Sequence, residues 1–144
     1  SGRVGVALQM HAQPELLEKR RAYLDDLRML LGAPHRDRFT YAKKAAEYGR
    51  SDQRSGMVED LRRRLEVWQS VWRDVMLLQS GVEVPLVNLD DRGAVERLAQ
   101  QCPPGEVAAR VRELEEAQDA LDANVNPRLL FENLALNWPR VVLD

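Results

Sequence analysis

The sequence predicts an all-α fold, a bundle of five to seven helices around one long central helix. Three observations lead there. First, Met57 to Gln79 carries apolar or large residues at Val58, Leu61, Leu65, Trp68, Trp72 and Val75, the three-and-four alternation of an amphipathic helix. Second, the other apolar-periodic windows are separated by short corners such as Gly32-Ala33-Pro34 and Pro103-Pro104-Gly105, which stop one helix and start the next. Third, the one alternating stretch, Val82 to Leu86, is interrupted by Pro85, so a strand there would have nothing to pair with.

The central window contains no Pro and no Gly between Met57 and Ser80. A helix of that length spans roughly 35 Å at 1.5 Å per residue. Its first half has a charged outer face, with Glu59 and Arg63, and Asp60 and Arg64, in the favourable acid-first i,i+4 order. From Val67 onward it is apolar nearly all round, through Trp68, Val71, Trp72, Val75, Met76, Leu77 and Leu78. Such a helix is covered on several sides. Gly81 lies where a left-handed cap residue is expected.

The remaining elements follow in order. Gly2 to Ala12 reads as a short helix that Pro14 breaks, Pro14 being well placed in the first turn of the next helix. That helix runs to about Leu31, with Leu17, Leu24, Leu27 and Leu31 inward and Glu15, Glu18, Asp25 and Asp26 outward. A third, Asp37 to Tyr48, places Phe39, Ala42, Ala45 and Ala46 inward and ends at Gly49. Ser51 or Asp52 is expected to cap the central helix. Val82 to Asp90 reads as an extended connector laid across the bundle. Asp90 is expected to cap a fifth helix ending at Gln101, and a sixth runs from about Glu106 to Ala123 with Val107, Val111, Leu114 and Leu121 inward. Asn124-Val125-Asn126-Pro127 is a tight corner, with Asn126 as N-cap and Pro127 as the first residue of a last helix carrying Leu130, Phe131, Leu134, Leu136 and Trp138.

The chain has 144 residues and a formal net charge of −2. That length supports one domain with a proper core. A near-neutral charge weighs against nucleic acid as a direct partner. The basic runs Lys19-Arg20-Arg21 and Arg62-Arg63-Arg64 sit among acids on helical windows and read as solvated faces. Cys102 is the single cysteine, so no internal disulfide forms, and a reducing, cytoplasmic setting is expected. No apolar run is long enough to span a bilayer. The opening Ser1-Gly2, without an initiator methionine, reads as the start of a piece of a longer protein.

No chemistry-bearing constellation is present. His11 and His35 are the two histidines, and neither stands in a metal-ligand pattern with a carboxylate or a second His. No phosphate-binding loop and no triad set occurs. Trp68 and Trp72 read as core, although an i,i+4 aromatic pair could also line a pocket. Cys102 reads as a buried structural thiol. The residues alone therefore give no catalytic, cofactor-binding or metal site.

Three segments together resemble one family. Asp122 to Leu134, reading DANVNPRLLFENL, resembles the closing motif of bacterial clamp-loader subunits, in which a helix runs into Asn-x-Asn-Pro and then a Leu-rich helix with an internal Glu. Trp68 to Leu78 resembles the long collar helix of the delta-prime subunit of DNA polymerase III. Ser1 to Leu8, with the Pro14-to-Arg20 run behind it, resembles the end of an AAA+ lid domain leading into that collar. Each motif alone is of moderate specificity; their order and spacing carry the likeness.

The resemblance implies a non-catalytic assembly domain. Clamp loaders are five-subunit AAA+ machines that place a ring-shaped sliding clamp on primed DNA, within a polymerase holoenzyme that is a nucleotidyltransferase. Helical collars hold the five subunits together. On this reading residues 1–12 are the tail of the lid and residues 13–144 the collar. ATP-hydrolysing relatives carry a nucleotide-facing arginine at the lid position that Gly5 occupies here, which fits the non-hydrolysing delta-prime subunit. The alternatives are the collar of an ATPase subunit of the same machine and a free-standing helical adaptor or regulator. The implied partners are other clamp-loader collars, with no cofactor, no membrane, no direct nucleic-acid contact and at most weak self-association. Arg73, Asp74, Arg128, Glu132 and Asn133 are the interface candidates, read either as solvated and capping residues or as polar contacts to a neighbouring collar.

Overall fold

The computed structural model describes residues 14–83 and 85–143. The expected helix from Gly2 to Ala12, with Gly5 and His11 in it, lies outside the described residues. Within them the chain forms six α-helices and no strand: α1 (Pro14–Gly32), α2 (His35–Ala45), α3 (Arg54–Ser80), α4 (Arg92–Gln101), α5 (Pro104–Asp122) and α6 (Pro127–Asn137). Two 3-10 turns, Ser51–Gln53 and Leu89–Asp91, lead into α3 and α4.

Helix α3 is the post of the bundle. It runs 27 residues and ends at Gly81, which takes the left-handed conformation (φ 74°). The turn is open to glycine because no Cβ penalty arises there. Helices α5, α4 and α1 all pack against α3, while α2 packs on α6. This is why the second half of α3 is apolar nearly all round. Trp68, Val71, Trp72 and Val75 are each buried. Trp68 stands edge-on to Trp138 at 4.9 Å between ring centroids and lies 5.8 Å from Phe131. Trp72 also stands edge-on to Trp138, at 6.0 Å between ring centroids. The Trp68 indole N–H donates to the Tyr23 carbonyl at 2.8 Å, so the aromatic centre is tied to α1 by a hydrogen bond as well as by contact.

Several expectations are met in detail. Val107, Val111, Leu114 and Leu121 face the core from α5. Asn126 Oδ1 accepts from the backbone N–H of Arg128 at 3.0 Å and of Leu129 at 3.2 Å, and Pro127 opens α6. Glu59 pairs with Arg63 and Asp60 with Arg64. Cys102 is buried, and burial pushes its thiol pKa up, with Glu106 adding to the shift.

Other expectations are corrected. Leu17 is 39% exposed and Phe39 42% exposed. Helix α2 turns Arg38 inward in place of Phe39, a rotation of its buried face that apolar periodicity does not foresee. Leu78 and Leu130 are half-buried at the margin of the core. Helix α2 stops at Ala45, short of Tyr48. Neither Ser51 nor Asp52 caps α3. The preceding turn is closed by Gln53, whose Oε1 accepts from the backbone of Gly49 and Arg50. Asp90 does not cap α4 either, because its carboxylate is engaged by Arg20 and Arg21 of α1. Among the described residues of the connector, Leu86 covers the core as expected, while Val82 and Val87 point to solvent.

Candidate partner-binding face

Most of the polar side chains are used inside the molecule. Arg38 is 1% exposed and has no carboxylate partner among the described residues. Its Nε donates to the Leu30 carbonyl at 2.8 Å and Nη2 to those of Leu31 at 3.2 Å and Pro139 at 2.9 Å; Nη1 donates to Ala135 at 3.1 Å and Trp138 at 2.5 Å. These carbonyls lie at or just past the C-terminal ends of α1 and α6, where the helix dipole is negative; Leu30 and Leu31 also accept the backbone N–H groups of Ala33 and Val141, while Arg38 is the donor to Ala135, Trp138 and Pro139. Burial pulls the Arg38 pKa down, and Arg140 adds to that. An arginine does not deprotonate in a protein, so the guanidinium stays charged.

A second group fixes the connector. Asp74, also 1% exposed, accepts from the backbone N–H of Val87 at 3.0 Å and of Asn88 at 2.7 Å, and from Asn88 Nδ2 at 2.8 Å. Arg20 then grips Asn88 Oδ1 at 2.6 Å and Asp90 Oδ2 at 2.7 Å, and Arg21 shares Asp90 at 2.7 Å. Arg28 pairs with buried Asp91. A third group joins α1, α2 and α3. Arg64 lies over the rings of Tyr23 and Tyr41, at 4.9 and 5.5 Å, and binds Asp60 at 2.8 Å. Burial, reinforced by the hydrogen bond to Asp60, pushes the Tyr23 phenol up to about 12. The basic runs that read as solvated faces are thus largely internal clasps.

The five interface candidates separate accordingly. Asp74 has no surface to offer a neighbour. Arg73 is partly exposed and pairs with Glu115 of α5 at 3.1 Å. Arg128 is exposed and holds Glu132, which is buried, at 2.8 Å. Asn133 is exposed one residue on. The structure therefore groups Arg128, Glu132 and Asn133 on α6 and sets Arg73 apart on the α3–α5 side.

Beside Arg128 the surface opens into a cleft of about 290 Å³ lined by Ala46, Tyr48, Arg54, Met57, Asn126, Pro127 and Arg128. It forms because α2 and α6 run antiparallel: Arg38 meets the far end of α6, while Ala46 and Tyr48 meet its start. Tyr48 is largely exposed, as are Val125 and Leu129 on either side of the Asn126 corner. Arg54 donates to Asn124 Oδ1 at 3.2 Å. Sequence reading missed Tyr48, Val125, Leu129 and Arg54. The available signal was Leu129, an apolar residue standing off the Phe131–Leu134 stripe of its own helix.

The cleft has an apolar floor and a cationic rim, and no His, Cys or carboxylate lines it. Such a surface can hold an apolar side chain with an acidic neighbour. Among the described residues no cluster of His, Cys, Asp and Glu could hold a metal ion, and no helix is long and apolar enough to cross a membrane. No curated protein and no solved structure matches the chain. The family described as DNA polymerase III, delta subunit, C terminal matches residues 55–140. That span runs from the start of α3 past the end of α6 and holds both the central post and the Asn126 corner, so the chain belongs to this clamp-loader family.

Proposed function

We propose that this chain is the collar of a delta-prime-type clamp-loader subunit, a non-catalytic domain that holds neighbouring subunits together while the sliding clamp is loaded. The observation that carries this reading is the family match over α3 to α6. Two features support it. Eleven arginines are spent on ion pairs within the described chain, which suits a rigid assembly part. Gly5, at a lid position where ATP-hydrolysing relatives carry arginine, supports the delta-prime assignment over an ATPase subunit, with residues 1–12 as the lid tail and 13–144 as the collar.

The test is light scattering of the chain alone and mixed with the collar domains of the other clamp-loader subunits. We expect a monomer or weak self-association at micromolar concentration. We also expect a defined complex with a partner collar, formed without ATP. A heterologous ring contact does not require self-pairing, and a stable interface usually buries more than about 1,000 Å². A tight symmetric homodimer that ignores the partner collars would favour the free-standing adaptor instead.

A further inference from the structure

Eleven arginines make ion pairs with carboxylates within the described chain: Arg20, Arg21 and Arg28 on α1, Arg50, four along α3 from Arg62 to Arg73, then Arg92, Arg110 and Arg128. The outer face of α2 is different. Arg36, Phe39, Thr40, Lys43 and Lys44 are all exposed, at the three-and-four spacing of one helical stripe. Arg36, Lys43 and Lys44 have no carboxylate partner among the described residues. The stripe continues directly into the cleft, because Ala46 and Tyr48, just beyond its end, line it. From Arg36 to Ala45, the end of α2, the face is roughly 14 Å long at helical rise, the length of about two and a half turns of a second helix.

We propose that this α2 face is a docking site for an acidic amphipathic helix of a neighbouring clamp-loader subunit. Its carboxylates face Arg36, Lys43 and Lys44, and an apolar side chain enters the cleft between Tyr48 and Arg128. The inference rests on the assembly function proposed above and names the surface and the chemistry of one partner. Charge complementarity selects the occupant. The chain as a whole is acidic, with net charge −2, yet Arg36, Lys43 and Lys44 share one face here, whereas Lys19, Arg97, Arg112 and Arg140, also exposed and without a carboxylate partner among the described residues, stand singly on other segments. An exposed aromatic at the centre of a charged stripe is the arrangement of a protein interface, with an apolar middle and a polar rim. Nucleic acid fits less well. Asp37 and Glu47 stand on the same segment, and phosphate binding of useful strength draws on a larger basic excess.

The lysine content makes a direct test possible, since Lys19, Lys43 and Lys44 are the chain's three lysines. The chain is assembled with the other clamp-loader subunits and treated with a carbodiimide, which joins an amine to a carboxylate it already touches. We expect peptides linking Lys43 or Lys44 to an Asp or Glu of one neighbour, and none from Lys19. In a second arm, Lys43→Glu with Lys44→Glu is expected to weaken assembly by about tenfold or more, through like-charge repulsion at the interface. Lys19→Glu should leave assembly unchanged, and both variants should melt like the parent. Normal assembly of the charge-reversed variant, or cross-links confined to Lys19, overturns the docking site and leaves the assembly function standing. Failure of the unmodified chain to assemble at all counts against the assembly function itself. Tight, salt-sensitive binding of a single-stranded oligonucleotide that the double variant loses, with assembly intact, reassigns the face to nucleic acid.

Discussion

Arg38 ends its side chain on the carbonyl oxygen of Trp138, Nη1 donating across 2.5 Å. The contact closes a ring of five carbonyls drawn from the ends of α1 and α6. The guanidinium therefore joins the ends of two helices, supplying the donor to the Ala135, Trp138 and Pro139 carbonyls, and it sets where α2 can sit. A buried carbonyl left without a donor costs about 1–3 kcal/mol. Arg38→Met should accordingly destabilise the fold by about 3 kcal/mol or more in urea unfolding. Arg38→Lys should recover only part of this, because an ammonium cannot reproduce the planar fork. A loss below about 1 kcal/mol for Arg38→Met would show that water or a local shift satisfies these carbonyls.

Asp74 plays the matching role for the connector. Its two oxygens take three N–H groups from Val87 and Asn88, which have no ladder or helix to bond within. Asp74→Ala should cost about 2–3 kcal/mol, from loss of charge-assisted bonds and exposure of unpaired donors. Amide exchange at Val87 and Asn88 should quicken while exchange in the middle of α3 changes only as global stability does. Unchanged exchange at those two amides would separate Asp74 from the connector's order.

How legible this was from sequence depends on the kind of interaction. Helix α3, its Gly81 end and the Asn126 cap were readable because each is set by near neighbours in the chain. Apolar spacing fixed α3, and Pro127 after an Asn fixed the corner. Arg38 and Asp74 were not readable in the same way. Their partners lie up to 101 residues away for Arg38 and 14 for Asp74, and a charged residue on a helix is normally assigned to water. Leu17 and Phe39 failed for the complementary reason. An apolar residue was assigned inward on one helix's own pattern, and the actual buried face was decided by Arg38 and by what α1 and α2 pack against. The partner face was the least legible part, since Tyr48, Arg54 and Leu129 meet only through the antiparallel pairing of α2 and α6.

The core makes a sharper prediction through two leucines with opposite burial. Leu65 is fully buried on α3 and Leu17 is 39% exposed on α1. Truncating a buried leucine removes its transfer free energy and leaves a cavity, at about 2–5 kcal/mol. Leu65→Ala should fall in that range, while Leu17→Ala should stay within about 0.5 kcal/mol of the parent. Equal melting temperatures for the two variants would contradict the assigned faces.

The clasp between α1 and the connector should be sensitive to acid, with a definite sign. The Arg20 hydrogen bond, aided by the charges of Arg20 and Arg21 and opposed by partial burial, holds the Asp90 carboxyl below its ordinary pKa. A depressed folded-state pKa stabilises the fold in full above the unfolded value, about 3.9 for Asp. That contribution is lost as pH falls through the folded value. The stability difference between the parent and Asp90→Asn should therefore be level from neutral pH down to about pH 5. It should then shrink below about pH 4 as the parent's own carboxyl becomes neutral. Because Asp90 is 45% exposed at its side chain, the plateau should be modest, about 1 kcal/mol or less. Added salt should lower it, since exposed charges are screened over about 10 Å at 0.1 M. Urea unfolding of both proteins across that pH range gives the measurement. A difference that grows toward low pH would mean that Asp90 is destabilising as a carboxylate, and that Arg20 and Arg21 hold the connector through Asn88 and Asp91 instead.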